Sequence, residues 1–466
     1  MDQRTYIPAG AAGRGDGPAR PRVVIVGGGF GGVAAARALR QAPVDIVLID
    51  RRNHQIFQPL LYQVATAVLA PGDVAAPLRQ LAAVQPNASV EMAEVTEIDT
   101  DARTLRALLP NAASIEVAYD YLILAAGAGP SYFGHDAFAA FAPGLKTLSD
   151  AEAIRSKILK AYELAELTED PGELQRLMTF VLVGGGPTGV ELAATIAQMA
   201  QVTLRRNFNR IRPEQTKVVL LEGGSRILPS FDPRLADAAH AQLVRLGVEV
   251  RTGAVAETID ADGVVAGGER IRAATVLWTA GVAATPLAAM AGAETDRAGR
   301  ARVGPNLETQ EGSGVFVIGD AASVLQNGKP VPGVAQAALQ QGAHVGALIA
   351  ARVGGNSPPP PPFQYRDRGS MAVVGKDFAL LEAPGCKLSG RPAWLVWAFI
   401  HIAFLPRLQN RLRVGVQWLL SYFTGQRGSR LIAEPSWAAP SRPPQPVASI
   451  TGSVADKDAD RRPSVA

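Results

Sequence analysis

Apolar residues in this chain fall into short runs that alternate with helix-like patterns. Val23–Val26 is a β-branched run of buried-strand length, followed by six residues rich in glycine and then by the Ala-rich stretch Val33–Gln41, which reads as a helix. A second apolar run, Ile46–Ile49, ends in Asp50. The same order returns at Thr179: strand, glycines, helix, and after an inserted RRNFNRIRPEQ another strand, Lys217–Leu221, ending in Glu222. Three further runs, Tyr121–Gly127, Thr275–Gly281 and Val315–Asp320, end in glycine, small residues or an acid. Strands alternating with helices bury both faces of parallel sheets. An α/β fold with two doubly wound Rossmann-like dinucleotide-binding domains is therefore expected.

The pattern changes after the proline run Pro358–Pro362, which reads as a stiff spacer. Phe363–Leu381 then reads as a hairpin. From Arg391 to Arg430 there is no acidic residue, and Arg407, Arg411, Arg413, Arg427 and Arg430 alternate with Trp, Tyr, Phe and Leu at helical spacing. Amphipathic helices lying in an anionic lipid interface fit that pattern; a core helix pair or a dimer interface would give a similar one. No uninterrupted apolar stretch reaches the roughly twenty residues a spanning helix needs, so a peripheral protein on the cytoplasmic face of the inner membrane is expected. The boundaries follow: a disordered leader (1–20), a first domain (21–150 and 303–352) interrupted by a second (151–302), the linker and hairpin (353–390), the membrane-binding helices (391–433) and a disordered tail (434–466).

Composition removes several alternatives. Lys and Arg total 46 against 42 Asp and Glu, a net charge of +4 over 466 residues, which does not imply a nucleic-acid partner. The single cysteine, Cys386, excludes an intramolecular disulfide or a CxxC redox pair. Five histidines without ligand spacing argue against a metal site.

The glycines carry the first chemistry. Gly27, Gly29 and Gly32 fill GxGxxG: a tight turn, room for a pyrophosphate, and close packing of helix on strand. Asp50 stands where a carboxylate can accept from a ribose diol. Gly184, Gly186 and Gly189 repeat the motif, with Glu222 as the acid, further from its glycines because of the insertion. A carboxylate there favours NADH over NADPH, while Arg226 nearby could accommodate a phosphate. Two dinucleotide sites imply a hydride donor and a resident acceptor, so the first reads as non-covalent FAD and the second as NADH. Asp320 suits a flavin ribityl hydroxyl, or caps the segment after it.

FQPLLYQVATA (Phe57–Ala67), SYFGHDAF (Ser131–Phe138), APGLKTLSDA (Ala142–Ala151), VLVGGGPTGVELA (Val181–Ala193), VFVIGDAA (Val315–Ala322), VAQAALQQGAH (Val334–His344) and the segment Asn410–Ile432 together resemble the type II NADH dehydrogenases, single-chain NADH:quinone oxidoreductases of the two-dinucleotide flavoprotein superfamily. The resemblance runs from about Arg22 to Ile432. It implies flavin contacts at Gly27, Gly28, Gly29, Phe30 and Gly31, at Asp50, Arg51, Gln58 and Val95, and at Asp320, Ala335, Gln336 and Lys376. It also implies a glutamate beside the nicotinamide, Glu191, and quinone-lining amides from Gln336 and Gln340, with a membrane quinone as partner and no proton pumping. Departures are small: Ala67 replaces an expected glycine, and AAGAGPS is smaller than the usual flavin loop.

Each residue also has an ordinary reading. Glu191, two residues past Gly189 and so on the first turn of its helix, could simply favour the helix N-terminus. Gln336 and Gln340, four apart on one helix face, could be exposed, and Lys376 could be a solvated turn lysine. A sulfide:quinone oxidoreductase would need cysteines this chain lacks; a ferredoxin or rubredoxin reductase would not need the C-terminal stretch; a redox-sensing flavoprotein stays open, as does a homodimer.

Overall fold

The computed structural model describes residues 20–355 and 358–432. The expectations for the leader, apart from Arg20, and for the tail lie outside the described residues.

The first unit opens with strand β1 (Arg22–Val26), helix α1 (Phe30–Ala38) and strand β2 (Asp45–Asp50). A one-turn helix α2 (Leu61–Ala65) and strands β3 (Ala88–Met92) and β4 (Tyr121–Leu124) follow. The second unit repeats the plan with β5 (Thr179–Val183), α3 (Pro187–Gln198), β6 (Lys217–Glu222), β7 (Val248–Thr252) and β8 (Thr275–Trp278). The chain then returns to the first unit through β9 (Val315–Val317) and α4 (Ala335–Gly354). The sheets are parallel throughout, in the orders β9-β4-β1-β2-β3 and β7-β6-β5-β8. In both, the strand feeding a glycine loop has a parallel neighbour on each side, which explains its unbroken apolar run: Val23, Val24 and Ile25, like Phe180, Val181 and Leu182, are fully buried.

Helix α1 starts at Phe30, not Val33, because Gly29 forms its cap and Gly31 and Gly32 lie inside the first turn. Val315–Asp320 is shorter than its pattern suggested: β9 stops at Val317, and Gly319, with φ of 71°, begins a 3₁₀ turn holding Asp320. That turn is capped by Ile318, so Asp320 is not an N-cap.

The expected hairpin is a three-stranded antiparallel sheet of β10 (Ser370–Val373), β11 (Ala379–Ala383) and β12 (Cys386–Gly390). Two helices follow, α5 (Arg391–Phe404) and α6 (Leu408–Thr424), broken at Pro406. Among the described residues no helix is long and apolar enough to cross a membrane. Ala393, Trp397, Leu405 and Val414 of this pair are buried in one cluster with α2, α3 and β10. Truncating Trp397 to Ala would cost roughly 3–5 kcal/mol. The pair is thus partly core: among the described residues its outer side has no partner, with Leu395, Phe399, Leu412, Val416, Leu419 and Phe423 each more than half exposed.

Candidate functional site

The two glycine loops are built alike. Gly27 N–H donates to Ile49 O and Gly184 N–H to Leu221 O, both at 2.8 Å, which seats each loop on the neighbouring strand. Gly28 N–H donates to Asp50 Oδ2 and Gly185 N–H to Glu222 Oε2, both at 2.7 Å. The second oxygens accept from Arg52 N–H at 2.8 Å and Gly224 N–H at 2.6 Å. Gly27 and Gly184 have φ of 109° and 113°, where a side chain would be strained. A Cβ on Gly32 or Gly189 would overlap the carbonyl of Gly27 or Gly184, whereas one on Gly29 or Gly186 would meet nothing within 4 Å. Space for a ligand is thus left at the second glycine of each motif, beside a helix N-terminus that attracts an anion. Arg226, the residue that might have received a 2′-phosphate, donates to Pro229 O at 3.0 Å.

Around the first loop, Arg51 is exposed and 3.8 Å from Glu94, Val95 is buried, and Gln58 Nε2 donates to Lys146 O at 3.3 Å. Ala335 and Gln336 begin α4. Gln336 and Gln340 share a face, as their spacing implies, but the segment Arg366–Gly369 covers it. Gln340 Nε2 donates to Arg366 O at 3.0 Å and its Oε1 accepts from Arg366 N–H at 2.9 Å. Gln336 Nε2 lies 3.4 Å from Gly369 O, and its Oε1 is buried without a partner. Sequence reading passed over Gln341, which is buried and accepts from Gly319 N–H at 2.6 Å, fixing the turn that presents Asp320. The available signal was its place in line with Ala337 and Val345 on the apolar side of α4.

Glu191 is not in the first turn of α3: it is the fifth residue, half-buried along its length but with its carboxyl shielded from water, Oε1 accepting from Val373 N–H of β10 at 3.3 Å. Burial pushes its carboxyl up to about 8, so it is protonated at neutral pH. The helix-terminus reading therefore fails, since a neutral group gains nothing from the dipole. Tyr62 is buried nearby, its phenol raised by desolvation and by Glu191. Gln63 Nε2 donates to the Tyr62 hydroxyl at 3.0 Å, and Trp418 Nε1 donates to Gln63 Oε1 at 2.8 Å.

Tyr62, Gln63, Val373 and Trp418, but not Glu191 itself, border a cavity of about 200 Å³ whose walls come from α2 and α3 on one side, the β10–β11 turn on another, and Trp394, Trp397 and Trp418 of the C-terminal helices on the third. Lys376 lies in that turn, between strands and not after the sheet; its Nζ donates to Tyr422 O at 2.7 Å and sits 4.0 Å from the Tyr422 ring centre. Arg427, grouped by pattern with the lipid-facing basic residues, is instead buried, donating to Thr66 O at 2.8 Å and Thr195 O at 3.0 Å. Nothing in the local pattern separates it from Arg430; its burial is a tertiary fact. A chain of ring contacts joins the first loop to this cavity: Phe30–Phe57 at 5.9 Å, Phe57–His401 at 6.1 Å, His401–Trp397 at 4.6 Å and Trp397–Trp418 at 5.0 Å.

Residues 21–342 match the family described as pyridine nucleotide-disulphide oxidoreductase. The type II NADH:quinone oxidoreductase Ndh of Mycobacterium tuberculosis is 41% identical over 427 residues, covering 90% of this chain and 91% of that protein. The demethylphylloquinone reductase NdbB of Synechocystis is 30% identical over 429 residues, covering 90% and 99%. Among solved structures, NDH2 of Plasmodium falciparum in complex with NADH superposes with a TM-score of 0.81 at 19% identity, covering 89% of this chain and 100% of that one. Fold and glycine loops define an oxidoreductase with two dinucleotide sites, of the pyridine nucleotide-disulphide oxidoreductase family. Within it the chain belongs to the type II NADH:quinone oxidoreductases.

Proposed function

We propose that this protein is a peripheral membrane enzyme that holds FAD non-covalently on its first glycine loop, oxidises NADH at its second, and delivers two electrons to a membrane quinone without pumping protons. The observation that carries this reading is the cavity of about 200 Å³, walled on one side by elements of the dinucleotide units and on another by helices whose outer side is apolar and exposed. A quinone is an apolar tail with two carbonyl acceptors. It suits a pocket of tryptophans and amides that abuts a lipid-seeking surface.

A bound flavin supplies the two-electron relay between hydride donor and quinone. The protein's own residues fit it: Gly27–Gly32 and the start of α1 for the pyrophosphate, with Phe30 in the loop, Asp50 for the ribose, Arg51, Gln58 and Val95 around the loop, and Asp320 for the ribityl chain. The unpartnered Oε1 of Gln336 is an acceptor that a ring N–H would satisfy. Ala335, beside it at the start of α4, leaves room for the ring. Lys376 would reach a ring only by leaving Tyr422. Gly184, Gly186 and Gly189 receive NADH, and Glu222 rejects a 2′-phosphate. Glu191, neutral at pH 7, can donate a hydrogen bond beside the nicotinamide or hold a proton for quinone reduction.

Leu412, Leu419 and Phe423 would sit among acyl chains, with Arg407, Arg411 and Arg413 at anionic headgroups on the cytoplasmic face. No helix among the described residues is long and apolar enough to cross a bilayer, in keeping with a reaction that moves no protons across it. The deciding assay is NADH oxidation by the purified, FAD-loaded protein with a quinone analogue as acceptor. Flavin that is bleached by NADH but not reoxidised by quinone would sink the reading and favour a redox sensor. For the membrane part, Phe423→Glu with Leu412→Glu should abolish flotation with phosphatidylglycerol vesicles, and unchanged flotation would refute it. Deleting residues 392–466 would not serve, since that also removes Trp397 and Arg427 from the core.

A further inference from the structure

The cavity's lining contains two cations, Lys376 and Arg427, and no carboxylate. Lys376 is exposed and has a partner in Tyr422. Among the described residues Arg427 has no anionic partner: its two hydrogen bonds go to neutral carbonyls, Thr66 O at the end of α2 and Thr195 O in α3. The charged and titratable groups facing it are Tyr62, Tyr162 and Arg430, none of them an anion at neutral pH. Burial, with a smaller push from the Arg430 charge, lowers its guanidinium to about 9, which leaves it charged at pH 7. A buried cation balanced only by dipoles is costly unless something else in the site gains from it. Two carbonyl bonds leave further N–H donors of the fork unassigned, and the group borders the cavity.

We propose that Arg427 makes this cavity selective for an aromatic ligand whose oxygen carries negative charge, and that its part in the reaction is to hold that charge on the quinone head as it is reduced. The inference rests on the quinone reading above. Overall, NADH, a proton and a quinone give NAD⁺ and a quinol. The quinone takes two electrons and two protons, so any interval between electron and proton arrival leaves charge on a ring oxygen. A fixed guanidinium stabilises that oxygen more than the neutral carbonyl it came from. Glu191, protonated and joined to the cavity wall through the Val373 N–H it accepts from, is placed to end the interval without adding a competing negative charge first.

The test uses the full-length FAD-loaded protein and two naphthoquinones of nearly equal shape. 2-Hydroxy-1,4-naphthoquinone is an anion at neutral pH; its 2-methoxy relative is not. The wild type should bind the hydroxy compound roughly tenfold or more tightly than the methoxy one, as expected for a charge-assisted hydrogen bond in a desolvated site. Arg427→Gln should erase that preference, Arg427→Lys should keep most of it, and anaerobic bleaching of the flavin by NADH should be unchanged in both. Equal affinities in the wild type would overturn the proposal whether or not the variants fold. So would an Arg427→Gln protein that weakens both ligands equally, the mark of a purely structural staple. Failure of the wild type to oxidise NADH with any quinone would instead bring down the parent reading.

Discussion

The two glycine loops of this molecule share their hydrogen bonds nearly atom for atom, and differ in what lies across their helices. Helix α1 is closed by α4 at short range: a Cβ on Gly342 or Gly346 would overlap the backbone of Gly31 or Ala35, and no carboxylate intervenes. Helix α3 is covered by α2 and β10, and it places a buried carboxyl, Glu191, at that boundary. The loop geometry is a holder common to both dinucleotides. On the proposed reading, the flanking contact separates a ligand that stays from one that turns over. A glycine-sealed contact puts no carboxyl between α1 and α4, while a protonated acid lies between α3 and β10.

The strongest way to break this comparison is to spoil each loop in turn. Gly32→Val and Gly189→Val meet the same obstruction, the carbonyl of their own first glycine. Gly32→Val should yield protein without flavin and with lowered stability. Gly189→Val should keep its flavin and lose bleaching by NADH, by a factor on the order of a thousand or more if the nucleotide cannot seat. Absorbance at flavin wavelengths and stopped-flow reduction distinguish the two. Loss of flavin in both would mean that the loops are not independent.

Next in size is Glu191→Gln, which keeps the shape and removes the titration. Turnover should fall by roughly one to two orders of magnitude if the carboxyl moves a proton in the slow step, with flavin content intact; an unchanged rate at saturating substrates would leave only a packing role. Stability gives an independent readout. The folded carboxyl lies near 8 and its ordinary value is 4.5, so its contribution is whole below about pH 4.5 and declines as pH rises to about 8. The wild-type melting temperature should therefore drop between pH 5 and pH 8 by more than that of Glu191→Gln. Parallel curves would show that the carboxyl is not desolvated in solution.

The loops were legible because each rests on local sequence: an apolar run, three glycines, a helix and an acid at the end of the next strand. Glu191's burial was not, for it depends on β10, reached only after the proline run. For the same reason Arg427 read as lipid-facing. Basic and aromatic residues at helical spacing fix which side of α6 is apolar, but the inward turn of Arg427 comes from carbonyls of α2 and α3 far away in the chain. The third strand, Cys386–Gly390, escaped because CKLSG is short, leaves even its Leu388 exposed, and is held by backbone pairing with β11.

A smaller effect is expected at the second acid. Glu222 should give a preference for NADH over NADPH in kcat/KM, and Glu222→Ala should reduce it by about tenfold, since one charge repulsion and two backbone bonds are lost together. Asp50→Ala should leave that ratio alone while weakening flavin retention. A ratio near one in the wild type would mean that Arg226 swings away from Pro229 to meet the phosphate.

The smallest effect separates two glutamines that spacing treats as equals. Both lie on the side of α4 facing Arg366–Gly369, and the family resemblance assigns both to the quinone. Gln340, however, spends its amide on the Arg366 backbone, donating and accepting, while Gln336 keeps a buried oxygen free. Gln340→Ala should therefore cost on the order of 1 kcal/mol of stability by loosening the linker. Its quinone response and its reduction by NADH should each stay within about twofold of wild type, a change below 0.5 kcal/mol. Gln336→Ala should disturb flavin binding or reoxidation more, because a buried acceptor aimed at a ligand is lost with no linker bond shorter than 3.4 Å to explain it. Measuring the two half-reactions separately decides the matter. A Gln340→Ala protein reoxidised several-fold more slowly by quinone, with reduction by NADH unaltered, would mean that the Arg366 clamp opens on quinone binding and that spacing had placed the residue better than this geometry does.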